Sequence, residues 1–230
     1  MSPLEPVQIF AGTLNGQHEM GLLWNNDERS GDAATLTEAE SARVAALLTP
    51  QAQQRRRGEL TARRTHLADF LNLAPAQLAI DHHLEGQPFL PDFPMLSLST
   101  SHSEGWSALA LAEGRAIGLD IERIRPLDWQ PMLSMICSEA ERAAFLAAQP
   151  KLPAFFRLWT IKEAVLKATG QGFRAGPKAV QIPIEHLRPT PAQFDLQAHG
   201  VSYQIETACH DEIILALAIT RDRPPPRTSA

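Results

Sequence analysis

The sequence predicts an α+β fold of two pseudo-symmetric, related lobes, each a small sheet packed with helices, with the active site in the cleft between them. The 230 residues are enough for one large domain or two small lobes. In each half a strand pattern leads to a short helix, then to a longer charged helix, and then to further strands. Three positions of the first long helix align with three of the second: Thr61, Arg63 and Leu67 with Thr160, Lys162 and Leu166. Clefts between lobes are favoured ligand sites.

The two halves are expected to join near residues 112–115. We therefore predict an N-terminal lobe at 1–112 and a C-terminal lobe at 113–220 that carries the metal-binding and catalytic motifs. The proline-rich segment 221–230 is expected to be a disordered tail.

Within the first lobe, aliphatic and β-branched runs predict the strands, and apolar residues recurring every three or four positions predict the helices. Thr37 followed three residues later by Glu40 is a capping-box pattern that supports the start of the first helix. In chain order we expect strands at 7–14 and 21–24, helices at 37–48 and about 51–72, and strands near 77–81, 95–99 and 106–112.

The second lobe is expected to open with a strand at 115–124, which Pro126 prevents from extending further. The elements that follow are helices near 138–148 and 154–169, then strands near 179–182, 192–198, 201–208 and 213–220.

The charge pattern limits the classes of partner. A formal net charge of -5 argues against a general nucleic-acid binder. Residues 51–64 nevertheless hold five arginines against one glutamate, which is typical of a solvated helix face or of a surface that receives phosphates. The N-terminus has no basic segment followed by an apolar one, and no run of 18 apolar residues occurs. These observations favour a soluble cytoplasmic protein that does not bind membranes.

Cysteine and histidine give little support for a thiolate or imidazole metal site. Cys137 and Cys209 lie far apart and form no CxxC pair. His82 and His83 are adjacent, so on a strand they would face opposite ways, and a structural or surface role is favoured.

The segment "AIGLDIERI" places two carboxylates on one face of a strand. Side chains alternate along a strand, so Asp120 and Glu122 share a face and lie roughly 7 Å apart. Gly118 is on the same face and is expected to leave room for a ligand. Paired carboxylates suit Mg²⁺, which binds one or two carboxylates together with waters and phosphates. The alternative is that both acids face water on an edge strand.

The helix in "FFRLWTIKEAVLKATGQGF" is apolar around most of its circumference. Glu163 and Lys167 share its narrow polar sector as an i,i+4 pair, which indicates either a surface salt bridge or a polar stripe that lines a cleft. Lys162 falls within the apolar arc and must reach solvent or meet an anionic group.

Two motifs together resemble a known family. "IGLDIERIRP", followed some forty residues later by "LWTIKEAVLKATGQGF", is similar to the signature pair of the 4′-phosphopantetheinyl transferases, in particular the two-lobed Sfp type. "LPDFPMLSLSTSHS" resembles the Ser-His segment of the same family. The resemblance covers about residues 55–173.

The resemblance implies transfer of the 4′-phosphopantetheine arm of coenzyme A to a serine of an apo acyl or peptidyl carrier protein, with release of adenosine 3′,5′-bisphosphate. It makes Glu163 a Mg²⁺ ligand and the candidate general base, and Lys167 the contact to the pyrophosphate. It makes Asp120 and Glu122 the other Mg²⁺ ligands. The further residues that we expect to bind the coenzyme are Arg55, Arg56, Arg63, Gln87, Ser101, His102 and Lys162. A monomer is expected, because the two-lobed type pairs its related halves within one chain.

One departure affects the coenzyme site. Family members commonly carry a Gly-Lys-Pro turn, and Gln87 stands at its lysine position here. A neutral amide supplies no charge, so arginines 55–57, or Arg63 and Arg64, are expected to compensate at the 3′-phosphate.

Two alternatives remain open at this stage. A Mg²⁺-dependent phosphoester or pyrophosphate hydrolase would use Asp120, Glu122 and Glu163 equally well. A non-catalytic module that binds carrier proteins or the coenzyme would have no need for clustered carboxylates.

Overall fold

The computed structural model of the protein describes residues 7–14, 17–25, 36–83, 86–149, 151–188 and 190–222. Of the tail predicted to be disordered, residues 223–230 lie outside the described residues. Arg221 belongs to the described part, and its side chain forms an ion pair with Asp195.

The described residues form five α-helices and ten β-strands. The first half comprises β1 (Val7–Leu14), β2 (Gln17–Asn25), α1 (Glu38–Ala45), α2 (Pro50–Leu71), β3 (Asp81–His82), β4 (Pro88–Phe89), β5 (Leu96–Ser103) and β6 (Trp106–Glu113). The second half comprises β7 (Ile117–Arg123), α3 (Gln130–Ile136), α4 (Glu139–Ala147), α5 (Leu152–Thr169), β8 (Ala192–Ala198), β9 (Val201–His210) and β10 (Ile213–Thr220). Thr37 caps α1 with the expected capping box.

The strands form two four-stranded antiparallel sheets. The first has the order β1-β2-β6-β5 and the second the order β7-β10-β9-β8, while β3 and β4 pair in a small ribbon. Chain connectivity passes from the first sheet to the second between Glu113 and Ile117. The predicted α+β class, with its small sheets packed with helices, is therefore confirmed.

The layers follow from the alternation of side chains on two strands. On β6, Leu109 and Leu111 pack outward against residues of α2, while the alanines between them face the second sheet. On β10, Leu215 and Leu217 face the first sheet, while Ala216 and Ala218 pack against the cluster that contains α5. The core is thus built of four layers, helix, sheet, sheet and helix.

Two predicted strands are wrong and one helix was not predicted. The segment near 77–81 contains a turn of 3-10 helix and only the two-residue β3. Residues 179–182 are not a strand, because side chains take up their backbone groups: Lys162 bonds the carbonyl of Val180, and Glu141 accepts from the amide of Ile182. Helix α3 was missed, although it begins with a proline in its first turn, where proline is well tolerated.

Among the described residues, no helix is long and apolar enough to cross a membrane.

Candidate active site

Strand β7 and helix α5 lie directly against each other because of Gly118. A Cβ atom at this position would come within 1.9 Å of the Ala164 carbonyl oxygen and 2.5 Å of the Ala168 amide nitrogen. The expectation that Gly118 leaves room for a ligand is therefore wrong, since the backbone of α5 fills the space. This close packing brings the polar stripe of α5 beside the carboxylates of β7.

The expected cleft is present and has a volume of about 740 Å³. Asp120 and Glu122 of β7, Glu163 and Lys167 of α5, and Ser101 and His102 of β5 all line it. Its other lining residues include Arg43, Arg56, Glu59, Arg63, His82, Trp159 and Phe173. The cleft therefore combines a carboxylate cluster with a group of basic side chains from α1 and α2.

Asp120 is held inside the cleft wall rather than facing water. It is 6% exposed, although β7 is an edge strand. Its Oδ1 accepts hydrogen bonds of 2.8 Å from both Ser101 Oγ and Lys167 Nζ. Its Oδ2 is buried and has no hydrogen-bond partner among the described residues. A buried carboxylate oxygen without a donor is costly, so this atom is suited to a cation or a donor brought by a ligand.

The Glu163 carboxyl has an altered acidity. Burial raises its pKa from the ordinary value of 4.5 to about 7, with a further increase from the nearby charge of Asp120. Lys167 acts in the opposite direction, and Glu122 adds to the increase. Glu163 is therefore a group that can take up a proton near neutral pH.

Lys167 crosses the seam between the two sheets. Its ammonium group donates to the Leu119 carbonyl of β7 at 2.9 Å and to the Thr100 carbonyl of β5 at 3.3 Å, in addition to Asp120. In the described structure the hydrogen bonds of Lys167 thus go to these strands and not to Glu163 one turn away. Of the two alternatives left open by the i,i+4 spacing, the structure agrees with the polar stripe that lines a cleft, and Lys167 forms its ion pair with Asp120 of β7.

The three carboxylates of the cleft have oxygen atoms of the kind that divalent cations bind. Asp120 contributes a buried oxygen, Oδ2, that has no partner among the described residues, and the pKa of Glu163 is raised partly by the charges of Asp120 and Glu122. A divalent cation bound among these acids would offset their mutual repulsion. One oxygen of Glu122, Oε2, already accepts from Ser103 and, at 2.9 Å, from Arg125. Within the part of the chain that the structure describes, no three acidic, histidine or cysteine side chains are gathered closely enough to hold a metal as they lie.

The predicted coenzyme-binding arginines differ in position. Arg56 lines the cleft and pairs with Glu59 at 2.5 Å. Arg63 also lines it but is buried, and it bonds Glu40 at 3.1 Å. Arg55 is exposed and is not among the residues that line the cleft.

Sequence reasoning missed Arg43, which lines the cleft from α1. It lies three residues after Glu40, on the same helix face. Glu40 is anchored to Arg63 and Arg64 of α2. The capping box of Thr37 and Glu40, which fixes the start of α1, is the sequence signal that could have pointed to Arg43. His82, for which the sequence favoured a structural or surface role, also lines the cleft, whereas His83 stacks on Phe89.

Gln87 and Lys162 occupy different surroundings. Gln87 lines a smaller adjoining cavity of about 190 Å³ together with Thr100 and Lys167. Lys162 is 2% exposed and does not reach the cleft. The prediction that Lys162 must reach solvent or an anionic group is confirmed, because its Nζ lies 2.8 Å from Glu141 Oε2. The same Nζ also donates to the carbonyls of Pro177 and Val180.

Several known proteins are similar to this chain in sequence. A family model described as the 4′-phosphopantetheinyl transferase superfamily matches residues 116–218. The chain is 32% identical over 193 residues to the 4′-phosphopantetheinyl transferase HetI of Nostoc sp., a match that covers 81% of this chain and 79% of that protein. It is 34% identical over 128 residues to AcpT of Salmonella typhimurium, covering 54% of this chain and 65% of the relative. A 4′-phosphopantetheinyl transferase of Bacillus subtilis is 30% identical over 113 residues, covering 47% of this chain and 49% of its own length. The chain therefore belongs to the 4′-phosphopantetheinyl transferase superfamily.

Proposed function

We propose that this protein transfers the 4′-phosphopantetheine arm of coenzyme A to a serine hydroxyl of an apo acyl or peptidyl carrier protein, with Mg²⁺ at the carboxylate cluster. The observation that carries the proposal is the meeting of Asp120, Glu122, Glu163 and Lys167 in one cleft of a chain that belongs to this superfamily. Adenosine 3′,5′-bisphosphate is the expected second product.

Charge complementarity supports one orientation of the coenzyme. Its pyrophosphate would lie beside Lys167 and the carboxylates, where a cation is needed to offset like charge. Its 3′-phosphate would lie toward Arg43 and Arg56, which line the cleft from α1 and α2. This arrangement assigns to Arg43, rather than to exposed Arg55, part of the charge that Gln87 cannot supply. Lys162 has no role at the coenzyme in this proposal.

Glu163 is the proposed general base. Without a cation, burial raises the pKa of Glu163 to about 7; a bound Mg²⁺ would lower it and keep the carboxylate ionised, able to accept the proton of the carrier serine. The serine oxygen forms a bond to the phosphorus that carries the pantetheine arm, and the bond from that phosphorus to the bridging oxygen breaks. The bridging oxygen leaves with adenosine 3′,5′-bisphosphate, and the serine proton goes to Glu163.

Lys167 is placed to stabilise the leaving group. Its ammonium group forms an ion pair with Asp120. The Lys167 side chain is still 28% exposed, so it can reach a phosphate in the cleft. Mg²⁺, when bound by Asp120, Glu122 and Glu163, would polarise the phosphates and offset their charge. Phosphoryl transfer depends on such positioning and charge stabilisation more than on an enzyme nucleophile, which agrees with two cysteines whose thiol pKa values are raised by burial.

We further propose that one chain acts alone in the cytoplasm, where coenzyme A and apo carrier proteins are available. The cleft takes its lining residues from both halves of this chain, which supports the proposal that one chain forms the site.

The test is to incubate the protein with coenzyme A, Mg²⁺ and apo carrier proteins of fatty-acid, polyketide and nonribosomal-peptide type, and to weigh each carrier by mass spectrometry. The expected result is that at least one carrier gains the mass of one phosphopantetheinyl group. Coenzyme A hydrolysis with unmodified carriers would support a Mg²⁺-dependent hydrolase. Coenzyme or carrier binding without turnover would support a non-catalytic module.

A further inference from the structure

Along one side of the two stacked sheets, the edge strands β5 and β7 are joined by a row of serine hydroxyls. Strand β5 is the outer strand of the first sheet and β7 is the outer strand of the second, so each presents backbone groups without a neighbouring strand in its own sheet. Three amides of β7 donate to three serine hydroxyls of β5: Leu119 to Ser99 at 2.8 Å, Ile121 to Ser101 at 3.3 Å, and Arg123 to Ser103 at 3.1 Å.

Two of these hydroxyls also donate to the carboxylate cluster. Ser101 Oγ donates to Asp120 Oδ1 at 2.8 Å, and Ser103 Oγ donates to Glu122 Oε2 at 3.0 Å. The pattern repeats every two residues because both strands have a side-chain period of two. Ser99 occupies the equivalent place one step earlier, where the residue facing it in the repeat is Gly118, which carries no carboxylate.

The proton of each hydroxyl is therefore committed. A serine hydroxyl has a single proton to donate, and in Ser101 and Ser103 that proton goes to a carboxylate. Both serines are buried, and a hydrogen bond to an ionised oxygen is stronger than one between neutral groups. These bonds fix Asp120 Oδ1 toward β5 and leave Oδ2, the buried atom without a partner, for another ligand.

We propose that Ser101 and Ser103 are positioning residues that orient Asp120 and Glu122 for the divalent cation, and that Ser101 does not bind the phosphates of coenzyme A through its hydroxyl. This role replaces the phosphate contact that the family resemblance implied for Ser101, whereas His102 remains a cleft residue. The inference rests on the proposed function for the identity of the cation site.

The test uses Mn²⁺ as the probe, titrated by electron paramagnetic resonance into the full-length protein saturated with coenzyme A but without a carrier protein. Groups that orient metal ligands are typically worth about 10- to 100-fold in metal affinity. We expect Ser101→Ala and Ser103→Ala each to weaken Mn²⁺ binding by about that factor. Ser103→Thr keeps the hydroxyl and is expected to retain wild-type affinity.

Ser99→Ala is the matched control, because it removes the same kind of bond between the sheets without releasing a carboxylate. Its Mn²⁺ affinity should equal that of the wild type, while its melting temperature falls by less than that of Ser101→Ala, which also loses the bond to Asp120. Coenzyme A affinity measured in EDTA should be unchanged in Ser101→Ala, which a direct phosphate contact would not allow.

Several results would overturn the inference. Unchanged Mn²⁺ affinity in Ser101→Ala and Ser103→Ala, with normal transfer by the wild type, would refute the positioning role and leave the proposed function intact. If Ser99→Ala lost as much Mn²⁺ affinity as Ser101→Ala and Ser103→Ala, the serines would only hold the two sheets together and would not position the carboxylates. Weaker coenzyme A binding in EDTA by Ser101→Ala would restore its phosphate contact. If Ser101→Ala does not fold, Ser103→Ala decides alone. A wild type that binds no Mn²⁺ would remove the cation site and the inference together.

Discussion

Replacing Glu163 with glutamine should make the metal-free protein more stable than the wild type above pH 7. In the folded wild type, burial and the charge of Asp120 raise the pKa of Glu163 to about 7, whereas the ordinary value is 4.5. The folded state thus binds more protons than the unfolded chain between these values, and stability must fall as the pH rises through that window. Glutamine is neutral throughout and avoids this loss.

The magnitude follows from the shift. Each pKa unit corresponds to about 1.4 kcal/mol, so the shift from 4.5 to about 7 sets an upper value of about 3 kcal/mol. Because Glu163 is only partly buried, solvent screening reduces the expected gain to about 1–3 kcal/mol. The gain should be complete above pH 7, smaller at pH 6, and absent below about pH 4.5.

The assay is urea unfolding of wild type and Glu163→Gln in EDTA at a series of pH values from 4.5 to 8.5. Glu59→Gln is the matched control, since it removes a carboxylate from another wall of the same cleft, where Arg56 already pairs with it. A difference in unfolding free energy between wild type and Glu163→Gln that does not change with pH would refute the reasoning. It would mean that Glu163 is not held among the other carboxylates.

Three further substitutions test other parts of the structure. Arg43→Ala should weaken the binding of coenzyme A more than that of dephospho-coenzyme A, because it removes charge from the proposed 3′-phosphate site. Equal losses of affinity for the two compounds would contradict that assignment. Arg142→Ala, at an exposed position, is the control for the loss of one positive charge. Lys162→Met should destabilise the protein by about 3–5 kcal/mol in urea unfolding, because it leaves the Glu141 carboxylate buried without its partner; a smaller loss than about 1 kcal/mol would show that this ion pair does not anchor α5. Gly118→Ala should lower stability by more than about 3 kcal/mol and reduce transfer activity, since its Cβ would overlap the backbone of α5; wild-type values for both would contradict the close packing of β7 and α5.

The elements that sequence reasoning predicted well are those defined by local pattern. Strands at 7–14, 192–198 and 213–220 agree with the structure in both bounds, because alternation between turn residues is a local signal. The carboxylates of β7 were also predictable, since two acids separated by one residue must share a face of a strand.

The elements that failed depend on partners distant in the chain. The segment 179–182 has strand-like residues, but its backbone groups bond to Lys162 and Glu141, which lie elsewhere in the fold. Gly118 was interpreted as space for a ligand because no sequence pattern shows which helix will pack on a strand. The contact of Ser101 with Asp120 spans 19 residues and arises only when two sheet edges meet.

The most direct test of the central claim is the rate at which purified Asp120→Asn modifies an apo carrier that the wild type modifies, with Mg²⁺ and coenzyme A in excess. Asparagine keeps the shape of the side chain but removes the charge that the cation and Lys167 require. We predict a loss of transfer of at least about 100-fold, because even groups that only orient a metal ligand are worth 10- to 100-fold. The circular dichroism spectrum should be unchanged. A folded Asp120→Asn that transfers phosphopantetheine at the wild-type rate would contradict the assignment of this cleft as the active site.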